Sequence, residues 1–161
     1  MQRKKIVFDY VIYMGLEELP QTDRHLMEEA ITAREQAYAP YSGFKVGAAI
    51  LLENDQIVLG NNQENASYPS GLCAERVAVY QAGARFPGLT IRAIAISSAS
   101  EHLDVNKPAA PCGNCRQAIA EYENRQLEGI RILMMGATGP VYQCHSIADL
   151  LPLAFGRSNL E

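Results

Sequence analysis

Two short cysteine segments constrain this chain more than any other feature: Cys73-Ala74-Glu75 and Pro111-Cys112-Gly113-Asn114-Cys115. Each opens a stretch with helical patterning. The first runs from Cys73 to Ala84, with Ala74, Val77 and Ala78 on its apolar stripe, and is closed by Gly83 and Pro87-Gly88; the second runs from Gly113 to about Asn124. Helix starts present unpaired N–H groups and the positive end of the helix dipole, and both favour thiolates. Two such helices side by side bring three sulfurs to one point.

Three sulfur ligands leave the fourth position of a tetrahedral zinc open, the arrangement of a catalytic rather than a structural site. Glu75, two residues after the first cysteine, can sit over that position without binding the metal itself. Two other readings use the same residues. Cys144, the last of the four cysteines, would close a structural four-ligand site and make the chain a binding module; Cys112 and Cys115 alone would form a redox C-x-x-C pair. Cys144 sits on a predicted strand without partner spacing and reads as a buried thiol. His102 lacks the His-x-Glu spacing of a ligand and reads as a loop residue, and neither His25 nor His145 carries a signal.

The remainder reads as one layered α/β domain. Residues 1–20 form an N-terminal extension with a strand over Ile6–Met14. Thr22 or Asp23 is placed to cap a helix whose apolar stripe is Leu26, Met27, Ala30, Ile31, Ala33, Arg34 and Ala37, stopped by Pro40. Phe44–Glu53 alternates as a strand with Phe44, Val46, Ala48 and Ile50 on one face, and Gln56–Gly60 returns as its hairpin partner. Ile91–Ser98 is nearly continuous in apolar residues, as in a strand covered on both faces. Ile130–Met135 and Val141–Cys144 read as strands, with a helical turn at Ile147–Leu150.

Charge and hydropathy narrow the function classes. The net charge of -4 and the pI of about 5.4 lack the basic footprint that phosphate backbones require, so no nucleic-acid partner is expected. No apolar run approaches the roughly 20 residues that span a bilayer, so no membrane partner is expected either. Basic Met1–Lys5 followed by apolar Ile6–Met14 resembles an export signal, but Asp9 interrupts it and Leu16-Glu17-Glu18-Leu19-Pro20 is a poor cleavage region. The cytoplasm is the expected location, where cysteines serve metals or redox chemistry rather than disulfides.

The motif C-x-E…P-C-x-x-C is the three-cysteine form of the zinc nucleobase deaminase signature. The chain resembles the small homotetrameric cytidine deaminases well beyond it, across most of residues 22–155. The matching segments are Ala39-Pro40-Tyr41-Ser42-Gly43-Phe44-Lys45-Val46-Gly47-Ala48-Ala49, Asn62-Gln63-Glu64-Asn65-Ala66-Ser67-Tyr68, Cys73-Ala74-Glu75-Arg76, Pro111-Cys112-Gly113-Asn114-Cys115-Arg116-Gln117 and Leu150-Leu151-Pro152-Leu153-Ala154-Phe155. Asn61 departs from the family, which often has Cys there.

The resemblance implies a three-layer α/β/α sandwich on a mixed five-stranded sheet, with residues 21–161 as the catalytic domain. It also implies a homotetramer with active sites near subunit interfaces, and one Zn²⁺ per subunit on Cys73, Cys112 and Cys115. The implied reaction is hydrolytic deamination of cytidine and 2'-deoxycytidine in pyrimidine salvage, with a zinc-activated water attacking C4 and Glu75 shuttling protons. Asn62 and Glu64 match the pair that binds the ribose hydroxyl, and the Ala74 backbone matches the group that reads the base edge. Phe44 matches the aromatic packed on the pyrimidine, and Phe155 the aromatic lent by a neighbouring subunit. The nearest rival substrates, blasticidin-type antibiotics or a base in nucleic acid, are disfavoured by the Asn62–Glu64 pair and by the acidic charge. Three thiolates on Zn²⁺ sum to -1, which works against activating water; Arg76 matches the family arginine that hydrogen-bonds the ligand thiolates and so offsets that charge.

Overall fold

The computed structural model describes residues 1–161. Its scaffold is a six-stranded mixed sheet. In chain order the elements are β1 (Val11–Tyr13), α1 (Gln21–Glu35), β2 (Phe44–Leu52), β3 (Ile57–Asn61), α2 (Ala74–Arg85), β4 (Ile91–Ser100), α3 (Gly113–Glu123), β5 (Arg131–Met135) and β6 (Val141–Cys144). The strands lie in the order β1-β6-β5-β4-β2-β3. Only β4 and β5 are parallel, joined by the right length of chain for a crossover through α3; the other neighbours are antiparallel.

Side-chain alternation along the central strands builds the three layers. On β2 and β4, Ala48, Ile50, Leu52, Ile94 and Ile96 face the layer of α2 and α3, where they join Ala78, Val79 and Ile119 in one apolar cluster. Ala49, Leu51, Ala93 and Ala95 point the opposite way, against Leu26, Met27 and Ala30 of α1. Small residues on the α1 face let that helix approach closely. A Cβ on Gly47 of β2 would stand 2.0 Å from the carbonyl oxygen of Ala30. Gly60 of β3 does the same for the other layer: a Cβ there would lie 2.5 Å from both Ala74 O and Ala78 N. The first turn of α2 therefore rests directly on the sheet, and this seats the cysteine at its start.

Three local expectations are corrected. The sheet has six strands rather than five, because the N-terminal extension adds β1 to the free edge of β6 through Val11↔Gln143, Ile12↔Tyr142 and Tyr13↔Val141. That strand covers only Val11–Tyr13 rather than Ile6–Met14. β6 itself is four residues long, and the Tyr10 ring packs on Tyr142 (centroids 5.3 Å apart) where pairing stops. Helix α1 follows Pro20 without a side-chain cap, and its last residue is Glu35, ahead of Pro40. Asp23, expected as a possible cap, is instead buried and accepts two hydrogen bonds from the Arg131 guanidinium, at 2.6 and 2.9 Å.

Candidate metal centre and cleft

The starts of α2 and α3 meet on one side of the sheet. Cys73 is the residue immediately before α2 and Cys112 the residue immediately before α3; Cys115 lies in the first turn of α3, fully buried. The Sγ atoms of Cys73 and Cys112 are 3.9 Å apart and those of Cys112 and Cys115 are 3.5 Å apart. All three lie within 4.8 Å of one another. Sulfurs about 2.3 Å from a common tetrahedral centre stand about 3.8 Å apart, so the spacing and the donor type fit zinc. Cys144 does not belong to this group. It is buried in the core below α3, where desolvation pushes its thiol up, and the four-cysteine structural site is not formed.

Hydrogen bonding from the Cys115 thiol, aided by the Arg76 guanidinium at 3.7 Å, holds Cys73 down at about 5. The same contact with Cys73, together with burial, pushes Cys115 up. The site thus already favours a thiolate, the form that binds metal.

Glu75 occupies the first turn of α2 and is 5% exposed. Burial raises its carboxyl pKa, and the negative Cys73 beside it adds to the rise. Glu75, Arg76, Cys73 and Cys112 share the wall of a cleft of about 730 Å³ with Phe44, Asn62 and Glu64. Ala74 lies just behind that wall, fully buried on Gly60.

The polar pair of this cleft, Asn62 and Glu64, is held by neighbouring backbone groups and one hydroxyl. Asn62 Oδ1 accepts from Val46 N–H at 2.7 Å, and its Nδ2 donates to Phe44 O at 2.9 Å. Glu64 accepts from the Ser42 hydroxyl (2.5 Å) and from the amides of Tyr41 (2.8 Å) and Ser42 (3.3 Å), contacts that lower its pKa. These bonds fix both side chains at the mouth of β2.

Of the predicted pocket residues, Ala74 and Phe155 do not line this cleft, and Phe155 lies on the C-terminal segment. It is 59% exposed, and its carbonyl accepts from Gln117 Nε2 at 2.9 Å. Sequence reasoning missed Tyr68 and Ser98. Tyr68 packs edge-on against Tyr41 at the rim, with centroids 6.2 Å apart. Ser98 lines the cleft wall with a buried hydroxyl that has no hydrogen-bond partner. The signal for it was present: Ser97-Ser98 are polar residues inside a strand buried on both faces. Ser97 is accounted for by Arg34, at 2.9 Å, on the α1 side.

Residues 20–128 match the family described as the cytidine and deoxycytidylate deaminase zinc-binding region. The chain is 39% identical over 139 residues to a cytidine deaminase of Sporosarcina psychrophila, covering 84% of this chain and 93% of that protein. It is 35% identical over 143 residues to one of Mycobacterium tuberculosis, covering 88% and 96%. The crystal structure of the cytidine deaminase from Burkholderia pseudomallei superposes with a TM-score of 0.71 at 41% identity, covering 81% of this chain and 97% of that one. Fold and site together define a zinc-dependent hydrolytic deaminase with one Zn²⁺ per subunit. The chain belongs to the cytidine and deoxycytidylate deaminase zinc-binding family.

Proposed function

We propose that this chain deaminates free cytidine and 2'-deoxycytidine to uridine and 2'-deoxyuridine, releasing ammonia. The observation that carries the reading is the placement of Glu75: a buried carboxyl on the same cleft wall as Cys73 and Cys112. Zinc on Cys73, Cys112 and Cys115 supplies, when bound, the Lewis acidity that makes a water nucleophilic near neutral pH. Glu75 takes a proton from the attacking water, passes it to N3 of the pyrimidine and helps deliver one to the departing amine. Its burial keeps bulk water from competing for that proton.

The rest of the cleft selects the substrate. Phe44 gives the pyrimidine an apolar face, and the Ala74 backbone reads its edge. Asn62 and Glu64 bind the ribose hydroxyl through lone pairs and N–H groups that their loop contacts leave free. Their orientation is fixed before substrate arrives, which reduces the entropy lost on binding. A nucleoside is preferred over a base in a polynucleotide, because the acidic chain repels a phosphate backbone.

The chain acts in pyrimidine salvage, as a homotetramer in the cytoplasm. Phe155 supports the assembly: it lies outside its own cleft and is exposed, so it is available to a neighbour's pocket. Four free cysteines suit a reducing compartment. A substrate panel tests the reading. Cytidine and 2'-deoxycytidine should release ammonia, while cytosine, single-stranded DNA and blasticidin-type amines should release little. Turnover of the polymer or the antibiotic without turnover of either nucleoside would overturn it.

A further inference from the structure

The last stretch of the loop that delivers Cys112 is tied down by one side-chain hydrogen bond. Residues 101–112 have no regular secondary structure, and from Asn106 to Pro111 only one hydrogen bond reaches the segment: Arg116 Nε donates to Pro111 O at 2.8 Å. Pro111 is buried, whereas Cys112 is exposed, so this carbonyl is the last fixed point before the ligand.

The same guanidinium reaches a second segment. Arg116 Nη1 donates to Leu150 O at 2.7 Å. The adjacent Gln117 donates through Nε2 to Phe155 O at 2.9 Å. Beyond Leu151, that Gln117 contact is the only hydrogen bond tying the C-terminal strap to the body; the other bonds there are internal to residues 156–161. The strap also carries Leu153 at φ 59, a left-handed conformation uncommon for a bulky L-residue, with its side chain exposed.

We propose that Arg116 is a positioning residue that couples the zinc-ligand loop to the C-terminal strap, so that zinc occupancy and the placement of residues 150–155 depend on each other. Metal on Cys112 and Cys115 fixes the Pro111 carbonyl and the first turn of α3. Arg116, spanning both, then fixes the strap. By linkage the strap in turn strengthens metal binding. Lysine cannot substitute, because a single ammonium lacks the planar fork that addresses two carbonyls in different directions. The inference rests on the zinc site described above.

The test follows the equilibrium transfer of zinc to a chromogenic chelator and trypsin cleavage after Arg157, which is exposed within the strap. Full-length Arg116→Ala should hold zinc at least about tenfold more weakly than wild type, the scale in affinity seen when groups orienting metal ligands are removed. It should also be cut faster at Arg157. Arg116→Lys should fall between the two, which keeps the test open should the alanine variant fold poorly. Gln117→Ala, which loosens the strap without touching the loop, should be cut faster and, by the same reciprocity, give up zinc more readily than wild type. Zinc affinity unchanged in both Arg116 variants, or cleavage at Arg157 unaffected by zinc removal from wild type, would overturn the coupling. Neither readout uses nucleoside turnover, so a wild-type protein inactive on cytidine would sink the substrate assignment and leave this result standing.

Discussion

The Arg76 guanidinium lies 3.7 Å from the Sγ of Cys73, one turn further along α2, and its Nε is buried without a hydrogen-bond partner. A site of three thiolates on a divalent metal carries an excess negative charge, which opposes activation of water. Arg76 is the nearest positive compensation. Arg76→Ala is expected to lower kcat by roughly ten- to a hundredfold while the protein still binds part of its zinc. Steady-state kinetics with metal analysis checks this, and unchanged turnover at neutral pH would refute the charge argument.

Glu75 bears the proton transfers. Glu75→Gln keeps the shape and burial of the side chain but removes its basicity. The variant should retain zinc and lose about 10²- to 10⁴-fold in kcat, the range for a removed general acid–base group. Metal content and rate measured on one preparation separate a lost proton shuttle from a lost metal.

Asp23 and Arg131 tie α1 to the central sheet, far along the chain from each other. Asp23 is 3% exposed, whereas the Arg131 side chain keeps 33% of its surface. Asp23→Ala strands the guanidinium beside an apolar face. Because Arg131 can turn partly to solvent, the cost should be about 2–3 kcal/mol, at or below the low end for breaking a buried pair. Urea unfolding of the variant measures it.

Glu64 sets a pH dependence. The Ser42 hydroxyl, then the backbone amides of Tyr41 and Ser42, hold its carboxyl below the ordinary 4.5. A depressed folded pKa contributes stability that is present above the unfolded value and is lost as pH falls through the folded value. The gap in Tm between wild type and Glu64→Gln should therefore be constant near neutrality and shrink below about pH 4.5. Tm scans of both proteins from pH 6 to 3 check this.

Much of the architecture was legible in the residue pattern, because the strands that build the core carry strong periodicities. Phe44, Val46, Ala48 and Ile50 alternate, and Ile91–Ser98 is apolar on both sides; both became central strands. The cysteine pattern likewise brought three sulfurs together at two helix starts. What could not be read depends on contacts remote in sequence. Val11–Tyr13 is a strand only because β6 offers a free edge, so its length is set by its partner. Asp23 looked like a cap until Arg131 arrived from the sheet. Tyr68 lines the cleft through tertiary folding alone, and although Ser97-Ser98 stand out as polar residues in an apolar strand, only the fold turns Ser98 to the cleft and Ser97 to Arg34.

Titration of the metal-free protein with zinc, while uridine formation from cytidine is followed, tests the central claim most directly. The rate should rise in proportion to bound zinc and level off at one zinc per chain, with ammonia released in step with uridine. A protein that takes up one zinc per chain and still converts no cytidine would contradict it.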